Sequence, residues 1–75
     1  MNKNRRQQLM VWSSKAEALK DELDNIMQEE QEYYDNIPEN LQYSQRAEES
    51  EEAISQMEDA IDQLGEIIDI VDGIV

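Results

Sequence analysis

The sequence of residues 47–71 is AEESEEAISQMEDAIDQLGEIIDIV, and that of residues 9–33 is LMVWSSKAEALKDELDNIMQEEQEY. Both stretches contain positions suited to a helix core in steps of three and four, the spacing of one face of an α-helix. In the first stretch these positions are Leu9, Trp12, Ala16, Leu19, Leu23, Ile26, Glu30 and Tyr33. In the second they are Ala47, Ser50, Ile54, Met57, Ile61, Leu64, Ile68 and Val71.

The two series match when one of them is reversed, because the numbers of opposing residues then sum to 80. Leu19 falls opposite Ile61, and Tyr33 falls opposite Ala47. This is the relation that two helices folded back on one turn require. The sequence therefore predicts an all-α fold, an antiparallel, coiled-coil-like two-helix hairpin, with a single domain over residues 1–75. We expect helices over about residues 4–35 and 44–72 and a turn at 36–43.

The turn is predicted from residues 36–40, which are Asn-Ile-Pro-Glu-Asn. Pro38 cannot continue the incoming helix, and asparagine suits turns. We expect a short helical turn over residues 38–41, with Ile37 and Leu41 closing this end of the hairpin. Ser44 is favoured over Pro38 as the start of the second helix, and Gly73 is expected to stop it.

Apolar doublets recur every seven residues in the second helix. They are Ala53-Ile54, Ala60-Ile61, Ile67-Ile68 and Ile74-Val75. A doublet gives an apolar face that is wider than one neighbouring helix covers. The doublets therefore predict that two hairpins associate as a homo-oligomer, a four-helix bundle.

Two features of the predicted core leave alternatives open. Glu30 and Ser50 face each other, so they either form a hydrogen bond or lie in a hydrated layer. Gly65 costs roughly 1 kcal/mol relative to alanine inside a helix. It is explained either by close approach of the other helix near Trp12 or Ala16, or by no packing requirement at all.

The charge is strongly uneven. The chain has 6 basic and 19 acidic residues and a formal net charge of -13. Five of the basic residues lie within residues 1–20. Residues 21–75 contain 18 acidic residues and a single basic residue, Arg46. The hairpin thus has an open end with basic residues and an acidic closed end. The residues expected to bind a partner at the closed end are Glu29, Glu32, Tyr34, Asp35, Glu39, Tyr43, Glu48, Glu49, Glu51 and Glu52.

The open end is predicted to bind an oligomer or a partner through apolar side chains. These residues are Met10, Val11, Trp12, Ile67, Ile70 and Ile74. Trp12 has two interpretations, a residue of the hairpin core or an anchor for a partner, since aromatic residues and methionine are enriched at interfaces.

The acidic surface favours a protein partner of unknown identity. It is either a solvated surface or a mimic of nucleic acid that blocks a basic binding groove. The same charge argues against direct nucleic-acid binding. We expect a non-enzymatic protein-binding module, with a structural self-assembling coiled coil as the alternative.

Composition argues against catalysis and cofactors. Histidine and cysteine are absent, which excludes disulfides and removes the commonest metal ligands, general base and thiol nucleophile. Residues 21–32 lack the glycine of a calcium-binding EF-hand loop. We therefore expect no enzyme activity, no metal and no cofactor. Without a signal peptide or a membrane-spanning stretch, the expected location is the cytoplasm.

The stretch from Glu32 to Gln42, EYYDNIPENLQ, is followed by Ser44, Glu48 and the first two apolar doublets. It resembles a group of small acidic helical-hairpin proteins of bacteriophages and prophages, mostly of unknown function. The resemblance covers about residues 28–70. It implies a hairpin that acts as a viral accessory protein in a bacterial host by binding another protein.

Overall fold

The fold is an antiparallel helical hairpin, as predicted. The computed structural model describes residues 1–41 and 43–75, so Gln42 of the turn stretch lies outside the described residues. Helix α1 spans Lys3–Asp35, a 3-10 turn spans Glu39–Leu41, and helix α2 spans Gln45–Ile74. The Cα trace measures 60 × 14 × 12 Å. No helix within the described residues is long and apolar enough to cross a membrane.

Both helices begin with a polar cap. The Asn2 side chain accepts a hydrogen bond from Arg5 N at 2.8 Å. Ser44 Oγ accepts one from Ala47 N at 3.3 Å, which confirms Ser44 as the cap of α2. The expected stop at Gly73 is wrong, because α2 continues to Ile74. Gly73 does not adopt the positive φ of a glycine that ends a helix.

The turn is held by backbone hydrogen bonds around Pro38. Leu41 N donates to Pro38 O at 2.8 Å, and Ser44 N donates to Leu41 O at 3.0 Å. These bonds produce the short helical turn that the sequence predicted. Ile37 is half-buried, whereas Leu41 is 48% exposed, so the expectation that both residues close this end is wrong for Leu41.

The α2 side of the contact between the helices, here called the seam, matches the predicted series. All eight predicted positions of α2 are buried or half-buried. Ala47 and Ile68 are almost completely covered. The second residue of each of the first three doublets therefore lies in the seam, and the doublet residue that precedes it lies to one side.

On the α1 side of the seam, the prediction is wrong at every second position. Eight of the nine buried or half-buried residues of α1 form this side of the seam: Leu9, Ser13, Ala16, Lys20, Leu23, Met27, Glu30 and Tyr34; the ninth, Asp24, lies beside it. The prediction was wrong for Trp12, Leu19, Ile26 and Tyr33, which are 44%, 59%, 53% and 43% exposed. Each of these four residues precedes a seam residue by one position. Leu19 and Tyr33 therefore lie outside the covered positions of the seam, whereas their expected partners Ile61 and Ala47 lie within it.

Relative to the prediction, α1 is rotated about its own axis, so that Ser13, Lys20, Met27 and Tyr34 enter the seam in place of the residues before them. Contacts of polar side chains accompany this orientation. Ser13 Oγ donates to Asp72 Oδ1 at 2.6 Å, and Ser13 is 7% exposed. A Cβ atom at Gly65 would lie 3.3 Å from Lys20 Nζ, so the lysine side chain lies over the glycine. The expected close approach to Gly65 near Trp12 or Ala16 is wrong, because Lys20 takes that place.

The layer of Glu30 and Ser50 contains a direct hydrogen bond. Ser50 Oγ donates to Glu30 Oε2 at 2.6 Å, and Ser50 is 4% exposed. Of the two alternatives that the sequence left open, the structure shows the hydrogen bond. Two hydrogen bonds thus lie along the seam, one near each end, and the Lys20 side chain lies over Gly65 between them.

We expect Ile68→Ala to lower the free energy of unfolding by about 2–5 kcal/mol, because it leaves a cavity in the seam. The matched control is Ile70→Ala, since Ile70 is 69% exposed, and its effect should stay within about 0.5 kcal/mol. Urea unfolding followed by circular dichroism at one chain concentration measures both. Equal losses in the two variants would contradict this assignment of the seam.

Candidate binding surfaces

The first candidate surface is an apolar face formed by two columns of residues, one on each helix. Its residues are Trp12, Leu19, Ile26 and Tyr33 on α1, and Ala53, Ala60, Ile67 and Ile74 on α2. The α1 residues are all at least 43% exposed, and Ile67 and Ile74 are 46% and 49% exposed. Contiguous exposed apolar surface on a soluble protein usually marks an interaction site.

The two columns lie on the same side of the hairpin. Contacts of Ser13 with Asp72 and of Lys20 with Gly65 define the opposite side of the seam. At about 100° per residue, Leu19 points about 100° away from Lys20. On α2, Ile67 follows Gly65 by two residues, so the column that contains Ile67 points about 160° away from Gly65. Because the helices are antiparallel, these rotations bring both columns to one face.

A cavity at the closed end supports this placement. Its volume is about 460 Å³, and its lining includes Tyr33, Ile37, Pro38, Leu41 and Arg46. Tyr33 continues the α1 column, and Arg46 lies seven residues before Ala53 in the α2 column. The apolar face therefore ends at a cavity that both helices and the turn form.

A second cavity lies where the apolar face reaches the open end. It has a volume of about 330 Å³, and its lining includes Arg5, Leu9 and Trp12. Arg5 precedes Trp12 by seven residues, so it extends the α1 column. Each column thus has an arginine at its N-terminal end, one at each end of the hairpin.

The residues predicted at the open end are separated by the structure. All six are exposed. Trp12, Ile67 and Ile74 belong to the apolar face, and Ile70 borders it. Met10 and Val11 lie elsewhere: helical geometry places Met10 across the seam from the apolar face and turns Val11 away from α2. The structure thus brings three of the six residues onto one surface.

The second candidate surface is an acidic band along α2. Its residues are Glu48, Glu51, Glu52, Glu58, Asp59, Asp62, Glu66, Asp69 and Asp72, all exposed. They occupy three adjacent positions of the seven-residue repeat, an arc of about 100°. The band lies across the seam from the apolar face and runs about 36 Å along the helix axis. Helix α2 therefore presents three distinct surfaces: the seam, the apolar face and the acidic band.

The acidic closed end predicted from the sequence is divided among several surfaces. Glu48, Glu51 and Glu52 belong to the acidic band. The other predicted carboxylates lie outside it, on α1, in the turn or elsewhere on α2: they are Glu29, Glu32, Asp35, Glu39 and Glu49. Tyr43 is 94% exposed, whereas Tyr34 is half-buried in the seam and has less surface to offer a partner.

Glutamine side chains orient several of these carboxylates. Gln31 Nε2 donates to Asp35 at 3.0 Å, and Gln45 Nε2 donates to Glu49 at 3.1 Å. Each pair is four residues apart on one helix, a spacing at which such bonds stabilise the helix modestly. The carboxylates are the acceptors in these bonds.

No protein-family model, curated protein or solved structure matches the chain. The resemblance of residues 32–42 to hairpin proteins of bacteriophages therefore stays a prediction.

Sequence reasoning did not identify the central residues of the apolar face, Leu19, Ile26 and Tyr33, as exposed. It placed them in the core because they continue the three- and four-residue spacing of Leu9, Ala16 and Leu23, and because Leu19 is more apolar than Lys20. The doublets were the available signal, since they showed that α2 has apolar residues beside its seam. No comparable doublet series marks α1.

The acidic band predicts a stability that rises with salt. Glu58, Asp62 and Glu66 follow one another at intervals of four residues, where like charges destabilise a helix by about 0.2–0.5 kcal/mol per pair. Raising NaCl to about 0.5 M screens this repulsion. We expect the free energy of unfolding to increase with salt in urea titrations.

Neutralising these residues should reduce that dependence. The variant with Glu58→Gln, Asp62→Asn and Glu66→Gln should be more stable at low salt and respond less to NaCl. Its control keeps the charges, with Glu58→Asp, Asp62→Glu and Glu66→Asp, and should respond like the original protein. A stability that falls with salt would contradict repulsion within the band.

Proposed function

We propose that this protein is a non-enzymatic binding module whose acidic band occupies the basic groove of a nucleic-acid-handling protein. The observation that carries the proposal is the spacing of charges along the band. Nine carboxylates over about 36 Å give roughly one charge every 4 Å. One strand of B-DNA carries a phosphate charge about every 3.4 Å.

The shape of the protein supports this proposal. The band lies on a single continuous helix, Gln45–Ile74, which a second helix stiffens along most of its length. A rigid array of charges enters a preformed groove without the loss of conformational freedom that a flexible acidic tail undergoes. Basic grooves bind nucleic acid largely through lysine and arginine contacts with its phosphates, which release the counterions condensed on the nucleic acid. The carboxylates of the band offer these side chains an alternative set of negative charges.

The partner class follows from this chemistry. We expect a protein with a lysine- and arginine-rich groove that accepts one nucleic-acid strand or one edge of a duplex. The turn stretch at residues 32–42 resembles phage hairpin proteins, which favours action within the cytoplasm of a bacterial host. There the hairpin would inhibit its partner by competing with nucleic acid.

The test is affinity capture from a bacterial lysate, with elution by duplex DNA and separately by NaCl. The immobilised proteins are the original chain and a band variant, with Glu58→Gln, Asp62→Asn and Glu66→Gln. The control variant neutralises three exposed carboxylates of α1 that lie outside both the band and the predicted closed-end site, with Glu17→Gln, Asp21→Asn and Glu22→Gln.

We expect the original chain and the control to retain a common protein that duplex DNA displaces and that elutes with rising salt. The band variant should retain much less of it. A captured protein that neither DNA nor salt removes, or that binds the band variant equally well, would contradict charge mimicry.

The apolar face favours a second candidate function, a structural protein that assembles with itself and has no dedicated target. Trp12, Leu19 and Ile26 are exposed and lie in one column, so they form a contiguous apolar surface. Single exposed apolar residues are normal on a soluble protein, whereas a contiguous surface usually marks an interaction site. The two functions are distinguishable, because self-assembly depends on the apolar face and partner capture depends on the acidic band.

A further inference from the structure

We infer that the apolar face binds a second copy of this chain, with the two rods antiparallel and a two-fold axis at the level of Leu19 and Ala60. The result is a four-helix bundle in which each helix lies beside two antiparallel neighbours. The inference specifies which face, which direction and which residues meet. It does not depend on the acidic band having a target.

The first argument is the direction in which each helix presents its apolar side chains. In a square bundle, a helix has two neighbours about 90° apart around its axis. In α1 the seam residues and the column of Trp12, Leu19, Ile26 and Tyr33 point in directions about 100° apart. The hairpin fills one of these two directions, and the exposed column occupies the other.

The second argument is area. From Arg5 to Tyr33 the face is about 40 Å long, and two packed helices are about 20 Å wide. The face therefore covers roughly 800 Å² on each copy, which is the usual size for one side of a stable interface.

The third argument is that both columns are compatible with the same two-fold axis. Opposing residues on the two α1 helices have numbers that sum to 38, so Leu19 meets Leu19 and Trp12 meets Ile26. On α2 they sum to 120, so Ala60 meets Ala60 and the large Ile67 meets the small Ala53. Leu19 and Ala60 lie at nearly the same level of the hairpin, since residues across the seam have numbers near 80 in sum.

The fourth argument is charge, which selects antiparallel over aligned rods. Beside the α1 column runs a flanking series, Gln8, Lys15, Glu22 and Glu29. In the antiparallel arrangement, Lys15 lies opposite Glu22 of the second copy, and this occurs twice. With the rods aligned, Glu29 would lie opposite Glu49 of the second copy, again twice, and the two acidic closed ends would coincide.

The antiparallel arrangement also brings the basic open end of each copy to the acidic closed end of the other. Arg5 then lies opposite Tyr33 of the second copy, where a guanidinium group over an aromatic ring is favourable. The acidic bands stay on the outside of the bundle, because they lie across the seam from the apolar face.

Cysteine cross-linking tests this arrangement cleanly, since the chain contains no cysteine. Leu19→Cys and Ala60→Cys each place a thiol on the two-fold axis, where it meets its own copy within disulfide reach. Mild oxidation of either variant should give disulfide-linked dimers on a non-reducing gel. Ser55→Cys, exposed on the side of the acidic band, is the control and should stay monomeric on the gel.

A mixture of the Leu19→Cys and Ala60→Cys proteins separates the two orientations. Antiparallel rods should give only disulfide-linked dimers of two identical variants. A small tag on one of the two variants separates these dimers from mixed dimers on the gel. Cross-links between the two variants instead would overturn the antiparallel arrangement in favour of aligned rods.

Sedimentation of the original chain at micromolar concentration is the second measurement, with an expected mass of two chains. Leu19→Asp would place the new carboxylates of the two copies against each other at the two-fold axis, so this variant should sediment as one chain. Ala18→Asp, at an exposed neighbouring position, should remain dimeric. If the original chain sediments as a single chain and neither cysteine variant cross-links, the second copy is not the occupant of this face.

Discussion

Each helix of this hairpin carries more apolar surface than one neighbouring helix covers, and the other features of the molecule follow from that constraint. Helix α1 has two adjacent apolar directions, and α2 has a seam with a further apolar column beside it. A hairpin satisfies one direction on each helix. The remaining directions lie on the same face because the helices are antiparallel.

Polar contacts decide which direction of α1 enters the seam. The bond from Ser13 to Asp72 secures the open end, and the bond from Ser50 to Glu30 secures the layer near the closed end. Both serines are buried, and a buried hydroxyl without a partner would be destabilising. The column that contains Leu19 is left for another surface. The seam thus combines apolar packing with two hydrogen bonds to carboxylates, and a further apolar column on each helix remains outside it.

The separation of surfaces on α2 connects the fold to function. Apolar contacts and carboxylates occupy opposite sides of one helix, so association through the apolar face leaves the acidic band accessible. A bundle of two antiparallel rods would display two such bands, with the same spacing of charges on each. The proposed binding to a partner and the proposed binding to a second copy would therefore use different residues.

The sequence predicts the hairpin and the α2 seam well, since the series from Ala47 to Val71 has small or apolar residues at nearly every inward position. It fails for half of α1. There the more apolar residues, such as Leu19, lie outside the seam and Lys20 lies within it. Apolarity shows that a position avoids water, and it does not show which neighbour covers it. The acidic band was partly visible as the run of glutamates after Ser44, but its continuity depends on the helical phase of the whole of α2.

The rotation of α1 is the central claim, and the coupling between Ser13 and Asp72 tests it most directly. A double-mutant cycle with Ser13→Ala and Asp72→Ala, measured by urea unfolding, isolates the interaction between these two side chains. A buried serine that donates to a carboxylate should give a coupling of about 1 kcal/mol or more. A coupling of zero within error would mean that Ser13 lies outside the seam, and it would contradict both the rotation and the apolar face that results from it.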